Sequence, residues 1–147
     1  MKPITRRNFM KHTLAAGVGL TMASPFSRAR GANDVVQVAV IGINGRGGGH
    51  IKEYRDIKGV RVAALCDVDA KVLERRAKPF KDRKENVDTY VDLRELLDDN
   101  SIDAVSIATT NHWHSLATVW ACQAGKDVYV EKPCSHNVFE GRKCVEA

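Results

Sequence analysis

Gly42-Ile43-Asn44-Gly45-Arg46-Gly47 packs three glycines into six positions, directly after an apolar run from Val35 to Ile41. The chemistry this spacing suits is phosphate binding. In a G-x-G-x-x-G turn the first glycine makes the tight bend and the second lets backbone approach a pyrophosphate. The helix that follows offers its N-terminus to the anion. Asn44 stands where the second glycine would be. Asn tolerates unusual backbone angles but has a Cβ, so either the pyrophosphate sits slightly further out or Gly45 takes the close-approach role. A plain glycine turn is the alternative; a strand before and a helix after argue against it.

Asp67 follows a second apolar run, Val60 to Cys66, and lies 20 residues after Gly47. A carboxylate at that place accepts hydrogen bonds from an adenosine ribose. It also repels a 2′-phosphate, which favours NAD over NADP. The competing reading is that Asp67 only begins the turn into the next helix, with Asp69 as its cap.

Two more segments end apolar runs. Thr109-Thr110-Asn111-His112-Trp113-His114 follows the fourth, and Glu131-Lys132-Pro133 follows the fifth. Ligands of parallel sheets bind at the carboxyl ends of strands, so both belong on the ligand side. Lys132 can polarise a substrate hydroxyl or carbonyl and lend positive charge to a developing alkoxide. A surface lysine before a turn proline is the plainer alternative. His112 and His114 lack a third partner, so no metal is expected, and Trp113 is read as packing.

The elements that must position these residues alternate. Val35–Ile41 reads as a buried parallel strand, followed by a helix from about Arg46 to Ile57. Val60–Cys66 is the second strand. Asp69 can cap a helix whose Leu73, Ala77 and Phe80 share one face. Charged residues 81–86 form a loop, and Val87–Val91 a short strand. Asp92-Leu93-Arg94-Glu95 has the shape of a capping box, opening a helix that buries Leu93, Leu96 and Leu97. Asp103–Thr109 is strand. The helix near His112 to Ala124 is expected to pack through Leu116, Ala117, Trp120 and Ala124, with Gly125 as its stop. Val128–Val130 is the fifth strand, and Asn137 opens a last helix. Such alternation predicts an α/β fold, a doubly wound parallel sheet of Rossmann type with helices on both faces.

Charge and cysteine content narrow the functions further. Of 23 bases, Lys2, Arg6, Arg7, Lys11 and Arg28 lie in residues 1–29, which hold no acid, the first being Asp34; the other 18 balance 18 acids. A nucleic-acid partner is therefore not expected. No apolar run approaches the roughly 18 residues of a membrane span. Cys66, Cys122, Cys134 and Cys144 fit no zinc spacing and read as small core residues. Residues 1–29 read as a targeting leader. Thr5-Arg6-Arg7-Asn8-Phe9-Met10-Lys11 has a twin-arginine pattern, a weakly apolar Leu14–Ala23 follows, and Ser27-Arg28-Ala29 suits a signal peptidase. The expected partner is the twin-arginine translocon, and the expected location periplasmic or secreted. Residues 30–147 form the nucleotide-binding domain.

From Val35 onward the chain resembles the Gfo/Idh/MocA oxidoreductases. The resemblance is strongest from Ile107 to Pro133, through I-A-T-T-N-H-W-H and A-C-Q-A-G-K-D-V-Y-V-E-K-P. The family's T-P-N-x-x-H becomes Thr109-Thr110-Asn111-His112-Trp113-His114, so His114 matches the family histidine and Thr110 replaces its proline. Glu131-Lys132-Pro133 matches E-K-P, whose lysine is the expected catalytic residue. The resemblance implies NAD(P)-dependent oxidation or reduction of a sugar, cyclitol or related polyol. Its implied nucleotide contacts are Gly42, Asn44, Gly45, Arg46, Gly47, Asp67, Thr109, Asn111, His114 and Glu131. It also implies a cis Lys132-Pro133 bond, a homo-oligomer in the full-length form, and a second α/β substrate domain, which is missing from this chain and makes it read as a truncated product. A glycosidase using bound NAD as a redox catalyst, or a non-catalytic nucleotide-binding module, are the alternatives; Lys132 favours the dehydrogenase.

Overall fold

The computed structural model describes residues 35–147, and the leader assigned to residues 1–29 lies outside them. Five parallel strands form one sheet in the order β3-β2-β1-β4-β5: β1 is Val36–Ile41, β2 Val60–Cys66, β3 Asp88–Tyr90, β4 Ala104–Ile107 and β5 Asp127–Val130. The helices between them are α1 (Arg46–Arg55), α2 (Ala70–Asp82), α3 (Leu93–Leu97) and α4 (Asn111–Gln123), with α5 (Val138–Glu146) last. This is the doubly wound Rossmann arrangement expected. From β1 the chain builds outward to β2 and β3, then returns to place β4 on β1's other side. That reversal opens a crevice at the carboxyl ends of β1 and β4.

Side-chain alternation along the strands supplies both faces. Val40, Val62 and Leu65 pack with Ile51 of α1 and with Val72, Leu73, Ala77 and Phe80 of α2. On the other face Ala39, Ile41, Ala64 and Cys66 pack with Leu96 and Leu97 of α3 and with Ala117 and Ala121 of α4. Each fully buried Val, Leu, Ile or Phe contributes about 1.5–3 kcal/mol, so the two apolar layers clamp the sheet and fix its upper edge. Lys126, nearly buried, donates its ammonium to the carbonyls of Asp99 (2.6 Å) and Ile102 (3.0 Å), holding the turn into β4.

Three expectations need correction. β4 stops at Ile107 instead of Thr109: Ala108 makes a last bond to the Ile41 carbonyl (2.8 Å), and the backbone then turns to close over Gly42. The buried face of α4 is His114, Ser115, Ala117, Thr118 and Ala121, while Leu116 is 42% exposed and Ala124 lies at the surface. Of the cysteines only Cys66 is a core residue; Cys134 is exposed, and Cys122 and Cys144 are partly so.

Candidate functional site

The glycine turn is shaped by contact on two sides. Gly42 has φ +79°, and a Cβ there would sit 2.7 Å from the Thr109 backbone. A Cβ on Gly47 would collide with the Gly42 carbonyl oxygen, so α1 can lie this close to the turn only with glycine at that place. Helix α1 starts after Gly45 with no side-chain cap and no acid in its first turn. Its first N–H groups and its positive dipole end are thus suited to an anion.

Helix α2 steadies this turn from behind. Arg76 donates from Nε to the Ile43 carbonyl (2.9 Å) and from Nη2 to the Asn44 carbonyl (2.8 Å). Arg75 donates to Asn44 Oδ1 (2.8 Å), which ties the side chain at the variant glycine position to α2.

Asp67 starts the turn into α2, the plainer of the two readings of its position, and also holds the glycine turn. Its Oδ2 accepts from the Ile43 N–H (2.9 Å) and its Oδ1 from the Asp69 N–H (3.1 Å). Asp69 in turn caps α2 through the Lys71 N–H (2.8 Å). A carboxylate has about four lone-pair sites, so Asp67 retains acceptors toward the cleft that it lines.

That cleft has a volume of about 710 Å³. Its floor is Gly42, Asn44, Gly45 and Asp67; Thr109, Thr110 and Trp113 form one wall, and Val91, Leu93 and Arg94 another. Trp113 is 41% exposed and packs edge-on against Trp120 at 6.3 Å between ring centres, so it lines the cleft as well as packing. Cys66 also borders the cleft, and burial, then the Asp67 charge, pushes its thiol up to about 12. In the native chain a thiol reagent should label Cys134 and leave Cys66 untouched, as peptide mass mapping can check; early labelling of Cys66 would contradict the packing described.

At the far end of the edge, Glu131 is gripped from α1. Arg46 donates from Nε to Glu131 Oε1 (2.8 Å), and His50 Nε2 lies 2.9 Å from the same oxygen. Arg46 first, then His50, holds the Glu131 carboxyl well below its ordinary 4.5, at about 2. A depressed carboxyl stabilises the fold fully above about 4.5 and loses that contribution as pH falls through about 2. The unfolding midpoint of Glu131→Gln should therefore vary less with pH across that window than the parent's; equal pH dependence would refute the grip.

The other expected site residues fall in different places. Lys132 is exposed beyond β5, and its peptide bond to Pro133 is cis. Asn111 opens α4 at the surface. His114 is 1% exposed and stands behind the cleft, with Nδ1 2.7 Å from the Pro133 carbonyl and Nε2 3.1 Å from the Thr109 carbonyl. Gly42, Asp67, Asn111 and Lys132 thus lie at the carboxyl ends of successive strands. Sequence reasoning missed His50, Arg75, Arg76 and the cleft side of Trp113. For His50 a signal existed: it follows Arg46 by four residues, on the same helix face.

Together the features fit a dinucleotide: a glycine cradle that Cβ atoms would fill, a helix N-terminus open to an anion, and an acceptor carboxylate beside a roomy cleft. Similarity to known proteins agrees. The glycosyl hydrolase family 109 protein 2 of Shewanella sp. (strain ANA-3) is 30% identical over 163 residues, covering 95% of this chain. The alpha-N-acetylgalactosaminidase of Shewanella oneidensis is 30% identical over 164 residues, with the same coverage. The chain spans 36% of the length of these two relatives. The crystal structure of myo-inositol dehydrogenase from Lactobacillus casei in complex with NAD(H) and myo-inositol superposes with a TM-score of 0.71 and 29% identity, over 76% of this chain and 32% of that one. Residues 36–147 match the Gfo/Idh/MocA family, described as "Oxidoreductase family, NAD-binding Rossmann fold", and the chain belongs to that family as its NAD-binding Rossmann domain.

Proposed function

We propose that this chain is the nucleotide-binding part of an NAD-dependent oxidoreductase acting on a sugar, cyclitol or related polyol. The observation that carries the proposal is the cleft at the switch point, with the glycine cradle, α1 and Asp67 converging on it and Lys132 on the same sheet edge. NAD, when bound, supplies the hydride acceptor. This chain's own residues do the rest: α1 faces the pyrophosphate, Asp67 accepts from ribose and disfavours a 2′-phosphate, and Lys132 polarises the substrate hydroxyl and lends positive charge to the developing alkoxide. Glu131, held by Arg46 and His50, sets the base of the turn that carries Lys132. In the full-length form we propose a second, substrate-binding domain and a homo-oligomer. The family 109 relatives favour a second reading, hydrolysis of a glycoside such as an α-N-acetylgalactosaminide with NAD recycled.

One experiment separates the readings: titrate this chain with NAD and NADP, then assay the full-length form with a panel of polyols and an aryl glycoside. The first reading expects tighter NAD binding and net NADH with a polyol, lost in Lys132→Ala. The second expects glycoside cleavage without net NADH. Tighter NADP binding, or turnover that survives Lys132→Ala, would sink the roles given to Asp67 and Lys132. We further propose export by the twin-arginine pathway, supported by Arg6-Arg7 and the residues that follow. Replacing both arginines with lysine should retain the protein in the cytoplasm, which cell fractionation reads.

A further inference from the structure

We infer that His50 is a positioning residue: a directed Ser106–His50–Glu131 hydrogen-bond chain ties the turn carrying Lys132 to helix α1. The inference rests on the proposed role of Lys132. His50 is 3% exposed, and Ser106 of β4 is fully buried. The imidazole Nδ1 lies 2.8 Å from Ser106 Oγ, and Nε2 lies 2.9 Å from Glu131 Oε1. Tyr129 of β5 covers the ring edge-on, at 5.5 Å between centres. No element used for the nucleotide cradle explains a buried imidazole at this place.

The partners assign the direction. A carboxylate only accepts, so Nε2 must donate to Glu131. A neutral ring then offers a lone pair at Nδ1, which takes the Ser106 hydroxyl proton. Glu131 thereby selects the tautomer, and the Ser106 hydroxyl, which can donate or accept, completes the chain by donating to Nδ1. The other Glu131 oxygen, Oε2, accepts from the Lys132 N–H (3.3 Å). Arg46 and His50 stand four residues apart on α1 and converge on Glu131 Oε1. Any shift of α1 toward or away from a bound pyrophosphate is thus transmitted to the backbone at Lys132. Arg46 is exposed and supplies charge; His50 is buried and supplies direction.

The test uses the full chain with two readouts. Nitrogen-15 NMR of the imidazole should show the Nε2–H tautomer in the parent and a mixed population in Glu131→Ala, where only the two-way Ser106 hydroxyl remains. An Nδ1–H tautomer in the parent would overturn the inference, whether or not any variant folds. Acylation of the Lys132 amine, followed by mass spectrometry with and without NAD, gives the second readout. In His50→Leu the Lys132 labelling rate should change by roughly two- to thirtyfold. In His50→Gln, whose side-chain amide can donate to Glu131, it should return toward the parent rate. An unchanged rate in a folded His50→Leu chain, or no recovery in His50→Gln, would overturn it as well. Failure of the parent to bind NAD would instead refute the proposed function, because the tautomer and the labelling of the NAD-free chain are read independently.

Discussion

Gly42→Ala should unfold at a much lower denaturant concentration than the parent chain. Two terms act at once. The position has φ +79°, where a non-glycine residue costs about 1–2 kcal/mol. The new Cβ would also stand 2.7 Å from both Thr109 N and Thr109 Cα, and neither backbone atom can rotate away as a side chain would. Overpacking of this kind costs about 1–3 kcal/mol, so the two terms together reach about 2–5 kcal/mol. That is a large share of the roughly 5–15 kcal/mol that holds an average domain together. The control is Gly45→Ala, where nothing lies within 4 Å of the added carbon and the backbone φ is negative. Urea titrations of the two variants should differ clearly. Equal midpoints would mean that the β4–α4 loop does not press on the glycine turn.

Asp67→Ala should weaken NAD binding by about 1.5–3 kcal/mol, the usual worth of a hydrogen bond to a charged group. In affinity this is roughly 10- to 150-fold. The structure adds a second loss. The Ile43 N–H would no longer have its carboxylate acceptor, so the loop carrying Asn44 and Gly45 would loosen where it meets the nucleotide. Preference for NAD over NADP should narrow in the same variant, because the repulsion of a 2′-phosphate disappears. Asp67→Asn should fall between, since it keeps an acceptor oxygen for Ile43 while losing the charge. Calorimetric titration with both nucleotides checks all of this; unchanged NAD affinity in Asp67→Ala would remove Asp67 from the site.

Much of the frame was legible because it obeys simple periodicities. β1 and β2 are apolar runs broken only by Gln37 and Arg61 and closed by glycine and aspartate, and they lie within a residue of the expected bounds. The Asp69, Asp92 and Asn137 helix starts were legible from side-chain capping chemistry, and all three side chains accept from the helix backbone as expected. Helix α4 defeated the same logic. Counting apolar residues selects Leu116 and Ala124, yet the buried positions include His114 and Thr118. Both polar groups are satisfied there: Thr118 donates to the His114 carbonyl at 2.7 Å, and His114 meets the Pro133 carbonyl. Inward polar residues, satisfied within their own helix or across the fold, are invisible to a hydrophobic pattern. His50 escaped for the same reason, since Ser106 and Glu131 are 56 and 81 residues away.

The Arg76 grip on the glycine turn bears on the entropy of association. Its guanidinium holds the carbonyls of Ile43 and Asn44 at once, while Asp67 holds the Ile43 N–H. Immobilising the backbone of one residue costs about 1–2 kcal/mol at room temperature. In this chain that ordering takes place when the domain folds and α2 docks, before any nucleotide arrives. The loop is therefore preorganised, and association need not be opposed by freezing it a second time. Loosening the grip from a helix that never touches the cleft would move that entropic opposition from folding to binding.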